Sequence, residues 1–225
     1  GCASGWGCER VMAACEAKGC WSRRRWTVAM AGAAAATAAA WPLSPAAASQ
    51  LEEPLADSVR HALRAAVEHA DPLEPEFAST EARMAYLRWL TQISPRLARR
   101  KPDLNERVEF LQTVWYESRR AGLDESLVLG LIQVESGFRQ FAISVVGARG
   151  YMQIMPFWAR LIGDGDVGGL FHLKTNLRFG CVIMRHYLDR ERGDLFMALG
   201  RYNGSRGRSP YPNAVFAAQR RWQIG

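Results

Sequence analysis

Beyond residue 48 apolar positions recur every three or four residues, and alternation with a period of two hardly appears. That periodicity predicts helices and an all-α class. Asp57 is expected to cap a helix that runs to about Ala70 and is stopped by Asp71-Pro72. A second is expected over 80–93, with Met84, Leu87 and Leu90 at helical spacing and Pro95 as its stop. A third, over 105–121, places Val108, Leu111, Val114 and Trp115 on one stripe and ends at Gly122. Asp124 caps a fourth over 125–135. Further helices are expected at 152–162, 176–190, 194–202 and 213–222, with glycine-marked loops at 137–150 and 163–169. No internal repeat is visible.

The first 48 residues break this pattern. Arg23, Arg24 and Arg25 precede an uncharged, alanine-dominated stretch interrupted by Pro42 and Pro45. A positive cluster, a short apolar run and small residues in A-x-A order are the parts of an export signal. Cleavage after Ala40 or Ala48 fits, and a periplasmic destination follows. Alanine is too weakly hydrophobic, and the prolines come too soon, for a convincing membrane span. Met12 is the more natural first residue, which makes residues 1–11 an over-long N-terminus. Cys2, Cys8, Cys15 and Cys20 fall inside the signal and lack the close pairs of a zinc site. The exported chain then keeps Cys181 alone, on an apolar helix face with Met184 and Leu188, as an inert buried thiol. No metal or cofactor site is expected, and His172 and His186 have no partner at ligand spacing.

The 225 residues are 48% hydrophobic and 23% charged, the balance of a globular chain. The formal charge of +7 is too mild and too uneven for a nucleic-acid binder. Residues 49–134 hold 11 basic and 14 acidic side chains, whereas 135–225 hold 13 and 6. Ordinary solvated surface and attraction to an anionic polymer both account for that asymmetry. Arg206 and Arg208, flanking Gly207, are placed to reach a ligand.

The sharpest local signal is one carboxylate. On the helix over 125–135, Leu127, Leu131, Val134 and Phe138 share a stripe, and Glu135 falls between Leu131 and Val128 while Gln133 points away. A poorly solvated carboxyl has a raised pKa, and a carboxyl still protonated near neutrality can act as a general acid. Helix geometry alone equally accommodates a structural glutamate satisfied by a hydrogen bond.

Three ordered motifs carry a resemblance. Glu135-Ser136-Gly137-Phe138 is followed by Gly147-Ala148-Arg149-Gly150-Tyr151-Met152-Gln153-Ile154-Met155-Pro156, and then by Tyr202-Asn203-Gly204. Over residues 105–225 the chain resembles the family 1 lytic transglycosylases, bacterial peptidoglycan-cleaving enzymes with a lysozyme-like helical catalytic domain. The resemblance implies three parts: export signal over 1–48, helical N-terminal extension over 49–104, and catalytic domain over 105–225. It implies Glu135 as the single catalytic acid and base, and Ser144 as the serine that orients substrate or reacting group. Gln153 and Met155 would line the cleft, Gln153 contacting the N-acetylated sugar, and Tyr202 would hydrogen-bond the catalytic carboxylate or the substrate. Tyr151, where the family has Leu, and Gly204-Ser205-Arg206-Gly207 after Tyr-Asn, where it has Ala-Gly, are the departures. The implied partners are peptidoglycan glycan strands and envelope or secretion-machinery proteins, with the chain a monomer.

Hydrolytic glycosidases normally use two carboxyl groups, and the motif region supplies one. Asp164 and Asp166 lie in a glycine-rich loop, where turn-making is the ordinary use of aspartate. One carboxyl suffices if the substrate provides its own nucleophile, the muramic C6 hydroxyl, and closes a 1,6-anhydro ring. A goose-type hydrolytic muramidase and a non-catalytic peptidoglycan-binding scaffold are the rival expectations. Of the aromatics Phe157, Trp158, Phe171, Tyr187, Tyr202 and Tyr211, most should be core and one or two should line a groove.

Overall fold

The computed structural model describes residues 50, 52–68 and 77–224. The export signal expected over 1–48 and the stop at Asp71-Pro72 lie outside the described residues. Those described belong to one compact unit. Among them the chain forms α1 (Asp57–Glu68), α2 (Thr80–Leu97), α3 (Leu104–Arg120), α4 (Glu125–Glu135), α5 (Pro156–Ile162), α6 (Leu173–Arg190), α7 (Leu195–Asn203) and α8 (Pro210–Arg220). A 3-10 turn at Gly168–Phe171 precedes α6, and the fold class is all-α as expected.

Four helix starts are set by side-chain caps. Ser79, Asp103, Asp124 and Asp194 each accept the backbone N–H three residues on, satisfying a donor the helix leaves unpaired. Asp57 lies inside the first turn of α1 instead of ahead of it. Two starts are set by proline. Pro156 and Pro210 open α5 and α8, where a missing N–H costs nothing. The helix expected from Met152 therefore begins four residues later. Met155 is extended (φ −71°, ψ 139°), as a residue before proline prefers. Arg149 and Ile154 instead exchange two backbone hydrogen bonds of 2.9 Å, folding 149–154 into a tight bend.

α2 departs most from expectation. Pro95 does not stop it, because Thr91, whose carbonyl loses its partner, is exposed to water along with Pro95 itself. Nor do Met84 and Leu87 face inward; they are 48% and 40% exposed. The buried stripe is Tyr86, Trp89, Ile93 and Leu97. Its aromatics meet Trp115 of α3, with ring centroids 5.3 Å and 5.1 Å apart. Aromatic area outweighs the smaller aliphatic stripe in deciding which face turns inward.

α4 runs through the core: Val128, Leu129, Leu131 and Ile132 have no solvent exposure. It packs along α8 at close range. A Cβ at Gly130 would lie 2.8 Å from the Gln219 backbone nitrogen and 3.2 Å from the Val215 carbonyl, so only glycine admits this approach. α1 joins the same core through Leu63 and Val67. Buried Glu117 of α3 accepts the Nε of Arg120 (3.0 Å) and of Arg178 on α6 (3.1 Å). Arg120 also donates to the Ala66 carbonyl at 2.6 Å. Three helices are thereby tied by one neutralised buried charge. Cys181 is a free, fully buried thiol, as expected.

Candidate active site

Glu135 is the last residue of α4, and Gly137 with φ +60° turns the chain away immediately after it. The side chain is 4% exposed. The Tyr211 hydroxyl donates to Oε1, and Oε2 has no partner. Burial pushes the carboxyl up to about 8, against a smaller downward pull from the Tyr211 hydrogen bond. Among the described residues no second carboxylate acts on its charge. Tyr211 follows Pro210 at the start of α8. Its hydroxyl reaches Glu135 because Gly130 lets α8 lie directly on α4. Burial, and then the nearby Glu135, push the hydroxyls of both Tyr211 and Tyr202 well above the usual range.

The segment from Ala142 to Ile154 meets Tyr202, whose hydroxyl donates to the Met152 carbonyl. Ser144 is half-buried and closes a tight loop: its backbone N–H donates to the Ala148 carbonyl and its Oγ accepts the Ala148 N–H, both at 3.0 Å. Asn176 of α6, with no exposure, fixes the far end of the segment. Its Oδ1 accepts the Met152 N–H at 2.8 Å, and its Nδ2 donates to the Arg149 and Leu170 carbonyls at 2.9 Å and 2.6 Å. Gly150, at φ +78°, leaves room for this: a Cβ there would stand 2.2 Å from Asn176 Nδ2.

Several of the expected residues have definite partners within the fold. Gln153, expected to reach a sugar, takes φ +52° and donates its Nε2 to the Ala142 (3.1 Å) and Gly150 (2.9 Å) carbonyls, so its amide nitrogen holds the loop together. Met155 is half-buried at the start of α5 and packs against the core. Tyr202, expected on the carboxylate or the substrate, donates to the Met152 carbonyl at 2.8 Å, and the Tyr211 hydroxyl donates to the carboxylate. Tyr151 turns inward, its ring 5.0 Å from Phe110 and its hydroxyl 2.7 Å from the buried Lys101 ammonium. Arg206, expected to await a ligand, forms a two-point bridge to Glu191 at 2.8 Å and 2.9 Å. With Arg201 it holds that carboxyl down at about 2. Asp164 and Asp166 cap the backbone of their own turn. The exposed apolar side chains of this region are Phe141, Ile143, Val145 and Val146, in the loop that carries Ser144.

Residues 112–221 match the family model described as the transglycosylase SLT domain. That span contains Glu135, Ser144, Gln153, Met155, Tyr202 and Tyr211. That span, 110 of the 225 residues, is similar to the transglycosylase SLT domain. The chain also aligns with curated relatives. Over 51 residues the chain is 49% identical to a membrane-bound lytic murein transglycosylase C of Mannheimia succiniciproducens, covering 23% of this chain and 14% of that protein. Over 97 residues it is 35% identical to a transglycosylase of Enterobacteria phage PRD1, covering 43% and 35%. The chain thus spans at most about a third of the length of these two relatives. A solved structure, an inactive mutant of the lytic transglycosylase Slt from Pseudomonas aeruginosa, aligns at 21% identity with a TM-score of 0.41, covering 62% of this chain and 27% of that one. Helices α1 and α2 lie outside the matched SLT span. Two residues of that span central to this geometry, Tyr211 and Asn176, carry no periodic or spacing signal in the sequence.

Proposed function

We propose that this chain is a peptidoglycan lytic transglycosylase in which Glu135 serves first as acid and then as base. The observation that carries the reading is the isolated, buried carboxyl of Glu135, held up to about 8 with one oxygen on Tyr211 and the other without a partner. Such a group is protonated at neutral pH and can give its proton to the glycosidic oxygen between N-acetylmuramic acid and N-acetylglucosamine. As that bond breaks, the N-acetyl group stabilises the cationic carbon. The carboxylate left behind is now a strong base in a dry site, and it takes the proton of the muramic C6 hydroxyl. That oxygen closes the 1,6-anhydro ring. The proton Glu135 gave is returned, no water is consumed, and the attacking hydroxyl is on the same sugar, which gives the proximity advantage of an intramolecular step.

Ser144, Met155 and the loop held by Gln153 form the substrate-binding wall in this reading, with Tyr211 orienting the carboxyl. The excess of basic side chains over 135–225 suits an anionic glycan-peptide polymer, and the export signal over 1–48 delivers the chain to the periplasm where that polymer lies. Residues 105–225 act as the catalytic domain and 49–104 as its helical extension. The test is product analysis by mass from purified sacculi. Anhydro ends one water lighter than the hydrolytic product are expected, and Glu135→Gln abolishes lysis while binding survives. Reducing muramic ends alone would make the enzyme a hydrolytic muramidase. Lysis undiminished in Glu135→Gln would refute the mechanism.

A further inference from the structure

Lys101 is an unusual residue to bury. It lies in the segment after α2, outside the span that matches the family, yet it is 4% exposed. Its ammonium donates to the Tyr151 hydroxyl at 2.7 Å and to the Glu106 carboxylate. It also lies over the rings of Phe110 and Tyr151, 5.1 Å and 5.0 Å from their centroids. Burial pulls its pKa down, but the bonds to Glu106 and Tyr151 outweigh burial and leave it raised, so the group is charged at neutral pH. Apolar side chains of similar volume would often hold such a place as stably. What a buried, hydrogen-bonded charge adds is direction, because it fixes where its partner can sit.

The partner belongs to the 149–154 bend. Tyr151 is 1% exposed and precedes Met152, whose N–H goes to Asn176 and whose carbonyl accepts from Tyr202. Gln153 ties the same bend to the Ala142 and Gly150 carbonyls. The Leu that the resembled family carries in place of Tyr151 could not accept the bond from Lys101. Packing continues from Tyr151 to Phe110, with ring centroids 5.0 Å apart, and from Phe110 to Phe138 at 6.0 Å. Phe138 stands at φ +70° in the turn that follows Glu135, and Arg100 lies over its ring at 5.3 Å. Two adjacent basic residues after α2 therefore rest on an aromatic of two motifs, Glu135-Ser136-Gly137-Phe138 and Gly150-Tyr151-Met152-Gln153.

We propose that Lys101 is a positioning residue: through its hydrogen bond to Tyr151 it holds the 149–154 bend in the register that receives the glycan. This rests on the proposed transglycosylase reading for the glycan, but not for the hold on the bend. A bend that leaves this register takes the substrate-binding wall with it. KM then rises as the ordered fraction falls, while the proton chemistry at Glu135 stays as it was.

Three full-chain variants test it: Lys101→Met, which keeps the apolar stem, Tyr151→Phe, which removes one oxygen, and the two combined. Each is measured for kcat and KM on sacculi, for its pH–rate profile and for melting temperature. Hydrogen exchange is followed at the Ile154 amide, which donates to the Arg149 carbonyl across the bend. The expected result is a KM raised roughly three- to tenfold in each single variant and no further in the double, because both remove one bond. The kcat and the pH profile stay near wild type, and Ile154 loses protection in all three. A lower melting temperature with KM unmoved makes Lys101 a packing residue and overturns the proposal. So does an effect on KM that multiplies in the double variant, a fall in kcat with KM unmoved, or an Ile154 amide protected as in wild type. If Lys101→Met does not fold, Tyr151→Phe carries the same KM and exchange readouts alone. If wild type releases no product from sacculi, the function fails and exchange decides the rest. Equal loss at Ile154 in single and double variants then upholds the hold on the bend, and full protection overturns it.

Discussion

Replacing Glu135 with Gln should change how stability depends on pH, and by an amount the structure sets. The carboxyl titrates at about 8 in the folded chain against 4.5 for the free group. Between those values the folded state binds a proton that the unfolded state has released. Stability from this group is therefore fully present below 4.5 and is lost as pH rises through about 8. At about 1.4 kcal/mol per unit, the 3.5-unit gap has a ceiling of about 5 kcal/mol, of which about 3 kcal/mol falls between pH ~5 and pH ~8. Glutamine keeps the shape and does not titrate. Urea unfolding of wild type and Glu135→Gln at both pH values should show the variant gaining about 3 kcal/mol on wild type across the interval. Other groups cancel in that comparison. Burial lowers the His186 pKa, so that group adds stability as pH rises, equally in both proteins. Glu191, held at about 2, changes only in acid. Parallel pH dependences would refute the reasoning, because they would mean that Glu135 is ionised and solvated in the folded chain.

Tyr211→Phe removes the one donor on Glu135, whose pKa should then rise further, since that bond favours the charged form. The expected outcome is an alkaline shift of the activity profile, a loss of roughly 10- to 100-fold in kcat and about 1–3 kcal/mol in stability, read by pH–rate profiles and urea melts. An unmoved profile would show that Tyr211 is packing alone. Asn176→Ala frees the Met152 N–H and two carbonyls at once. It should cost about 2–4 kcal/mol and depress turnover through loop disorder, checked by melting and by exchange of the Met152 amide. Protection of that amide at the wild-type level would sink the assignment.

Helix existence was legible from apolar periodicity, and Asp124 marked the start of α4; Asp103 and Asp194, which cap α3 and α7 in the same way, carried no such reading. What pattern could not reach was the choice between competing faces and starts. α2 offers an aliphatic stripe through Met84 and Leu87 and an aromatic one through Tyr86 and Trp89; the second wins because Trp115 waits opposite, a partner 26 residues away from Trp89 in the chain. Likewise 151–154 has helical composition, yet Pro156 forces Met155 into an extended form and a long-range partner, Asn176, pays for the turn.

The site divides along the same line. Glu135 was readable because a helix fixes angles locally: four residues of spacing put its carboxyl among Leu131 and Val128 whatever the rest of the chain does. Its partner was not, because that is decided by how two helices cross. Tyr202 and Tyr211 are both buried tyrosines near one acid, and the family resemblance implies Tyr202. The crossing of α4 and α8 at Gly130 brings Tyr211 onto the carboxylate and leaves Tyr202 to the Met152 carbonyl. Tyr202 thereby braces the bend that also holds Gln153, while Tyr211 sets the proton. In the proposed function, positioning of the substrate wall and tuning of the acid then fall to different helices, α7 and α8. Substitutions in one should then shift KM and in the other the pH profile.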